Sequence, residues 1–199
     1  KYGLIPNRKY GQNFLINEEP IEKMLEAGEI KKDDVVVEVG PGFGVLTLAL
    51  VENVQKLIAF EIEKKLEPYW SEQMTRHHNL ELVWGNVLRE VESQKSIKSV
   101  KYKVIANLPY QITSNVIRKF LESGNKPELL VLMVQKEVAE RICAKPGDMS
   151  VLAISVQYYA DPEIVVQVPK SYFWPVPAVN SAVIKIVCRQ HGPADYKAD

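Results

Sequence analysis

The sequence predicts an α/β fold: seven strands in a mostly parallel sheet, helices on both faces, and an antiparallel strand at one edge. Three observations predict it. Short, almost wholly apolar runs such as Val35-Val36-Val37-Glu38-Val39 and Lys56-Leu57-Ile58-Ala59-Phe60 have the length and continuity of strands buried on both faces. Helical patterns follow the first, second, fourth and fifth of these runs, which is the alternation of a parallel sheet. The last two strand-like runs, Ile164–Val168 and Ala182–Val187, have no helical pattern between them and are expected to form an antiparallel pair at one edge.

In chain order, residues 1–16 are basic and aromatic without a clear period and read as an extended arm. Apolar positions 21, 24, 25 and 30 mark a short amphipathic helix. Val35–Val39 is the first buried strand. It runs into Gly40-Pro41-Gly42-Phe43-Gly44 and then a helix over 45–51. The second strand ends at Glu61, and Lys64–Arg76 is a helix with Pro68 near its first turn. Glu81–Trp84 is the third strand, closed by Gly85-Asn86; Lys101–Ala106 is the fourth, closed by Asn107-Leu108-Pro109-Tyr110. Ser114–Leu121 is a helix with Ser114 as its expected N-cap. Leu129–Val134 is the fifth strand, and helices over Glu137–Ala144 and Leu152–Tyr159 precede the final pair. The expected division is an arm over 1–16, a catalytic domain over 17–190 and a polar tail over 191–199.

The totals narrow the class. A chain of 199 residues with 46% hydrophobic and 25% charged residues is an ordinary soluble domain, long enough to bury a substantial core. No apolar run approaches the roughly 18 residues of a membrane span. The two cysteines, Cys143 and Cys188, suggest neither a disulfide framework nor zinc and read as reduced thiols, which fits a cytoplasmic or organellar interior. His77, His78 and His191 have no metal-ligand spacing and read as surface residues, so no metal is expected. Lys and Arg balance Asp and Glu at 25 each. A nucleic-acid binder of this composition would have to segregate its charge on one face.

In an open α/β sheet, ligands bind at the carboxyl ends of the strands, and here each of the first four strands ends in glycine or a polar residue. Gly40, Gly42 and Gly44 strip the backbone for close approach and lead into a helix N-terminus. Their spacing, G-x-G-x-G, is not the G-x-G-x-x-G of a pyrophosphate loop. Glu61, at the end of the second strand, is placed to take both hydroxyls of a ribose. Asn86, at the end of the third, can read an adenine edge. A ribose acid and an adenine amide without a pyrophosphate loop point to an adenosine with no phosphate chain, for which S-adenosylmethionine is the leading candidate. Asn107-Leu108-Pro109-Tyr110 then points to the reaction. Pro109 removes a donor, leaving the Asn107 amide oxygen and backbone carbonyls as acceptors beside an aromatic. Such acceptors hold both hydrogens of an exocyclic amine and help turn its lone pair toward an electrophile, while Tyr110 stacks on the base. Catalysis of this kind is mainly positioning. Phe173 and Trp174 are candidates for the other face of an aromatic sandwich around a flipped base.

These residues carry a resemblance. Gly11-Gln12-Asn13-Phe14-Leu15, the run from Glu38 to Thr47, Asn107 to Ser114, Gln135-Lys136-Glu137-Val138-Ala139-Glu140-Arg141 and Phe173-Trp174-Pro175-Val176-Pro177 stand in the order and spacing of the ribosomal RNA adenine N6,N6-dimethyltransferases. The sequence resembles that family over nearly its whole length. The resemblance implies a Rossmann-like class I S-adenosylmethionine-dependent methyltransferase. It implies cofactor contacts at Asn13, Leu15, Gly40, Glu61, Asn86 and Asn107, with Gly42 in the same loop, and an adenine held by Asn107, Tyr110 and Phe173. It further implies two adjacent adenosines near the 3′ end of small-subunit rRNA as target, the immature small ribosomal subunit as partner, a monomer and a cytoplasmic location, with a mitochondrial or plastid matrix as the alternative. Three departures stand out. Asn86 replaces the family's usual Asp, Ala178 stands where Lys is frequent, and the family's smaller C-terminal helical domain is expected to be absent from this chain.

Three rival readings remain at this level. The first is the sister group that methylates one adenine of large-subunit rRNA and confers macrolide resistance; Leu108 favours the small-subunit group. The second is a methyltransferase fold acting mainly as a ribosome-assembly or transcription factor. The third, an NAD-dependent oxidoreductase, is disfavoured by the glycine spacing.

Overall fold

The structure, a computed structural model, describes residues 13–189. Most of the arm, including Gly11-Gln12, and the tail with His191 lie outside the described residues. The elements run β1 (Phe14–Leu15), α1 (Glu19–Ala27), β2 (Val35–Val39), α2 (Val45–Val51), β3 (Lys56–Glu61), α3 (Glu67–Arg76), β4 (Leu80–Trp84), α4 (Val87–Glu90), β5 (Lys103–Asn107), α5 (Thr113–Leu121), β6 (Leu129–Gln135), α6 (Lys136–Ile142), α7 (Val151–Tyr159), β7 (Ala160–Val168), β8 (Phe173–Trp174) and β9 (Ser181–Cys188).

Seven strands form one sheet in the order β4-β3-β2-β5-β6-β9-β7, and β1 pairs with β8 in a separate two-stranded ribbon. Neighbours from β4 to β6 are parallel, and β9 is antiparallel to both β6 and β7. The expected antiparallel pair therefore closes one edge. Its antiparallel member, β9, sits one place in from the rim, wedged between β6 and β7 with Ile184 opposite both Leu132 and Ile164. β7 starts at Ala160, directly off α7, rather than at Ile164. Its Pro162 is tolerated because β7 is the edge strand.

Strand alternation divides the core into two layers. Val37, Val39, Ile58, Phe60, Val104 and Ala106 face one side, where α5, α6 and α7 supply Val116, Ile117, Phe120, Ile142 and Val156. Val36, Leu57, Ala59 and Ile105 face the other, where α1, α2 and α3 supply Met24, Leu50 and Trp70. These strands read as unbroken apolar runs because both faces are covered.

Two expected details change. Ser114 is not the cap of α5: a 3-10 turn over Tyr110–Ile112 leads into the helix, which starts at Thr113 with Ile112 at the cap position and no side-chain cap. α4 has no counterpart among the expected elements; four residues are too few to show a period. Among the described residues no helix is long and apolar enough to cross a membrane. Both cysteines are free thiols, Cys188 buried and Cys143 half-buried, and burial pushes them up to about 12 and about 11.

Candidate functional site

The carboxyl ends of β2, β3, β4 and β5 meet at one cavity of about 350 Å³. Of the expected site residues, Asn13, Leu15, Gly40, Gly42, Glu61, Asn86, Asn107, Tyr110 and Phe173 line it, while Gly44 and Trp174 do not. They come from both ends of the described chain, and the fold brings them to one mouth.

The loop after β2 turns on three glycines with positive φ, 71° at Gly40, 55° at Gly42 and 85° at Gly44. Gly44 is the N-cap of α2, and a Cβ there would lie 2.8 Å from the Trp70 ring, so α3 packs where a side chain would stand. Tyr69 on α3 donates its hydroxyl to the Phe43 carbonyl at 2.8 Å, which ties the loop down.

Glu61 is 5% exposed and accepts from three backbone amides. Its Oε1 accepts from the Ile62 and Glu63 amides at 2.8 Å each, and its Oε2 from the Gly42 amide at 3.2 Å. The carboxylate thus joins β3 to the glycine loop while one edge faces the cavity. Burial raises its pKa, and the three amides oppose that shift.

Asn86 is the N-cap of α4: its Oδ1 accepts from the Leu88 amide at 3.0 Å. Any edge-reading by Asn86 shares this oxygen or uses the amide NH2. Asn107 ends β5 and is half-buried beside Leu108, which is 2% exposed and whose amide donates to the Met133 carbonyl at 3.2 Å. Pro109 leads into the 3-10 turn that carries Tyr110. The Tyr110 hydroxyl lies 2.9 Å from Ser181 Oγ at the start of β9, fixing the ring against the antiparallel strand.

The β1–β8 ribbon closes the remaining side, with Leu15 opposite Phe173 in register. Both line the cavity, and Phe173 is 2% exposed. Trp174 departs from the expected sandwich. Strand alternation turns it outward, 58% exposed, and it does not line the cavity. His77 is half-buried and His78 exposed, and no group of three metal-ligating side chains occurs among the described residues.

One residue at the site was quoted only as part of a motif. Glu38, next to last in β2, lines the cavity and is 1% exposed. Among the described residues its Oε2 is buried without a hydrogen-bond partner, as is the Thr47 hydroxyl on α2. Thr47 stands close enough to favour the Glu38 charge but does not meet hydrogen-bond geometry. Burial, reinforced by the Glu61 charge, pushes the Glu38 carboxyl up to about 8. The sequence signal for it was a lone acid inside an otherwise apolar buried strand. Met133 and Ile62 also line the cavity and were not singled out.

This sheet order, with its single antiparallel strand and its site at the carboxyl ends, is the Rossmann-like class I methyltransferase fold. A family model described as ribosomal RNA adenine dimethylase matches residues 5–198, and the chain belongs to that family. "Ribosomal RNA small subunit methyltransferase A" of Dehalococcoides mccartyi is 43% identical over 189 residues, covering 95% of this chain and 65% of that protein. The protein of the same name from Lachnoclostridium phytofermentans is 40% identical over 204 residues, covering 99% of this chain and 70% of that one. Among solved structures, a dimethyladenosine transferase from Plasmodium falciparum superposes with a TM-score of 0.76 at 31% identity, covering 88% of this chain and 63% of that one. The 23S rRNA methyltransferase ErmE superposes with a TM-score of 0.77 at 26% identity, covering 92% of this chain and 72% of that one. The chain thus spans just under two thirds of the length of the Dehalococcoides relative.

Proposed function

We propose that this chain is the catalytic part of an S-adenosylmethionine-dependent rRNA adenine N6,N6-dimethyltransferase that acts on two adjacent adenosines near the 3′ end of small-subunit rRNA. The observation that carries the reading is the convergence of Gly40, Glu61, Asn86, Asn107, Tyr110 and Phe173 on one cavity. The cavity also suits the cofactor in charge. Among the described residues that line it are two carboxyl groups and no Lys, Arg or His, a poor home for a pyrophosphate and a good one for a cation.

When bound, S-adenosylmethionine supplies an electrophilic methyl group. The chain's own residues then divide the work. Gly40 and Gly42 let the backbone approach the methionine and ribose part, Glu61 takes the ribose hydroxyls, Asn86 reads the adenine, and Asn13 and Leu15 close the outer side. Asn107 accepts the hydrogens of the target amine and orients its lone pair, with Tyr110 and Phe173 on the base. The methylated amine becomes acidic enough to lose its proton, so no strong base is needed. On this reading the partner is the immature small subunit, the enzyme is a monomer and its compartment is the cytoplasm. The higher identity to small-subunit methyltransferases, 43% against 26% for ErmE, supports the choice of subunit.

The test is transfer of labelled methyl groups from S-adenosylmethionine to immature small subunits and, separately, to large-subunit rRNA. Label is expected in the small subunit, and label in large-subunit rRNA alone overturns the substrate. Asn107→Ala is expected to cut transfer by at least about 100-fold while largely sparing cofactor binding; near-normal turnover would remove Asn107 from its role.

A further inference from the structure

Glu38 has no part in the roles just given, yet it is the most unusual group at the site. It sits on a strand covered on both faces, and its Oε2 has no partner among the described residues. An ionised carboxylate in such a place is costly unless something positive stands beside it. Nothing positive does, because no Lys, Arg or His lines the cavity among the described residues. The neighbouring acid, Glu61, makes matters worse by its own charge, but its oxygens are already held by three backbone amides. Thr47 is within influence but not bonded. The site therefore holds one acid bonded to backbone amides, Glu61, and one orphan, Glu38.

We propose that Glu38 is a proton-linked counter-ion for the cationic cofactor: it stays protonated in the empty cavity and gives up its proton when a positively charged ligand enters. The inference rests on the reading of the cavity as an S-adenosylmethionine site. The exchange balances as a protonated carboxyl plus a cationic ligand going to a carboxylate–cation pair plus one proton taken up by buffer. Cofactor affinity is thereby tied to pH, with the empty-site carboxyl titrating at about 8. Below that pH each unit of acidity makes ionisation harder, so the dissociation constant rises about tenfold per pH unit until the pKa of the bound form is reached. Above it, affinity is flat. The other titratable groups around Glu38 are Glu61 at the end of β3, with Glu63 just beyond it, and Tyr110 after β5. Burial raises Tyr110 above the ordinary tyrosine range, so it stays neutral over the pH span that matters. That leaves Glu61 as the rival source of a linked proton.

Isothermal titration of S-adenosylmethionine into the protein, in buffers of different ionisation enthalpy, reads both affinity and protons. At pH 7 the wild-type chain should release close to one proton on binding, and its dissociation constant should fall about fivefold from pH 7 to pH 8. Glu38→Gln, nearly isosteric, should release almost none and bind at least about tenfold more weakly than wild type at pH 9. Glu61→Gln should weaken binding but keep the release. pH-independent binding by the wild-type chain, or release that persists in Glu38→Gln, overturns the role of Glu38. No binding by the wild-type chain even at pH 9 overturns the cofactor reading itself. Where Glu38→Gln fails to fold, Glu61→Gln carries the assignment, and loss of the release in that variant overturns the role of Glu38.

Discussion

At the residue scale, the site is built from side chains whose environment sets their state. Glu38 and Glu61 are neighbouring acids on adjacent strands, Glu38 opposite Ala59 and Glu61 two residues further along β3 at its end. Backbone amides hold Glu61, while Glu38 Oε2 has no partner among the described residues. The raised carboxyl of Glu38 has a consequence for the ligand-free protein. Its pKa lies near 4.5 in the unfolded chain and about 8 in the folded one. The folded state therefore binds more protons between these values, and stability falls as pH rises through that window, by up to about 1.4 kcal/mol per pH unit. Glu61 leans the same way. Glu38→Gln should then unfold at a higher temperature than wild type at pH 8 and show little gain at pH 5. Thermal melts of the two proteins at both pH values check this, and a gain equal at both would rule the linkage out.

The glycine loop is the critical element. Its positive φ values and the Trp70 ring under Gly44 make the turn from β2 into α2 a joint that admits no side chain. Gly44→Ala should cost about 1–2 kcal/mol for the left-handed backbone and a similar amount for displacing Trp70. Urea denaturation should show a total loss of about 2–4 kcal/mol; a loss under about 0.5 kcal/mol would mean that the loop and α3 give way freely. Other elements hold the substrate side. Tyr110 is tethered to Ser181 on β9, and Phe173 to β1 through the ribbon. The antiparallel edge therefore positions the aromatic groups, while the parallel part of the sheet positions the glycines and acids.

For the whole molecule, one sheet separates two apolar layers, and the cavity opens where its strands end. A ligand in that cavity touches both the sheet and the β1–β8 ribbon, so binding and global stability are linked. At a free concentration about 100 times its dissociation constant, S-adenosylmethionine should stabilise the fold by about 2.7 kcal/mol, which for this length is about 5–10 °C in melting temperature. The shift should be larger at pH 8 than at pH 6.5, measured at equal cofactor concentration. An unchanged melting temperature at saturating cofactor would contradict the site.

The pattern of residues along the chain marked the seven strands of the main sheet, its mostly parallel character and the strand-end residues that line the cavity. Buried parallel strands are unbroken apolar runs, and their polar ends must face the ligand, so Glu61, Asn86 and Asn107 were legible from local pattern alone. The N-terminal motif around Asn13 and Leu15 was legible only as a resemblance. Tertiary structure decided what depends on contacts distant in sequence. Leu15 meets Phe173 across a ribbon of two-residue strands, too short to announce themselves. Tyr110 bonds Ser181, and β9 inserts between β6 and β7 instead of taking the rim. Trp174 was separated from Phe173 by strand alternation, because neighbouring residues on one strand face opposite sides. The state of Glu38 belongs to the same class. Its state is set by burial and by the lack of a partner for Oε2 among the described residues, and neither leaves a mark in a one-dimensional pattern.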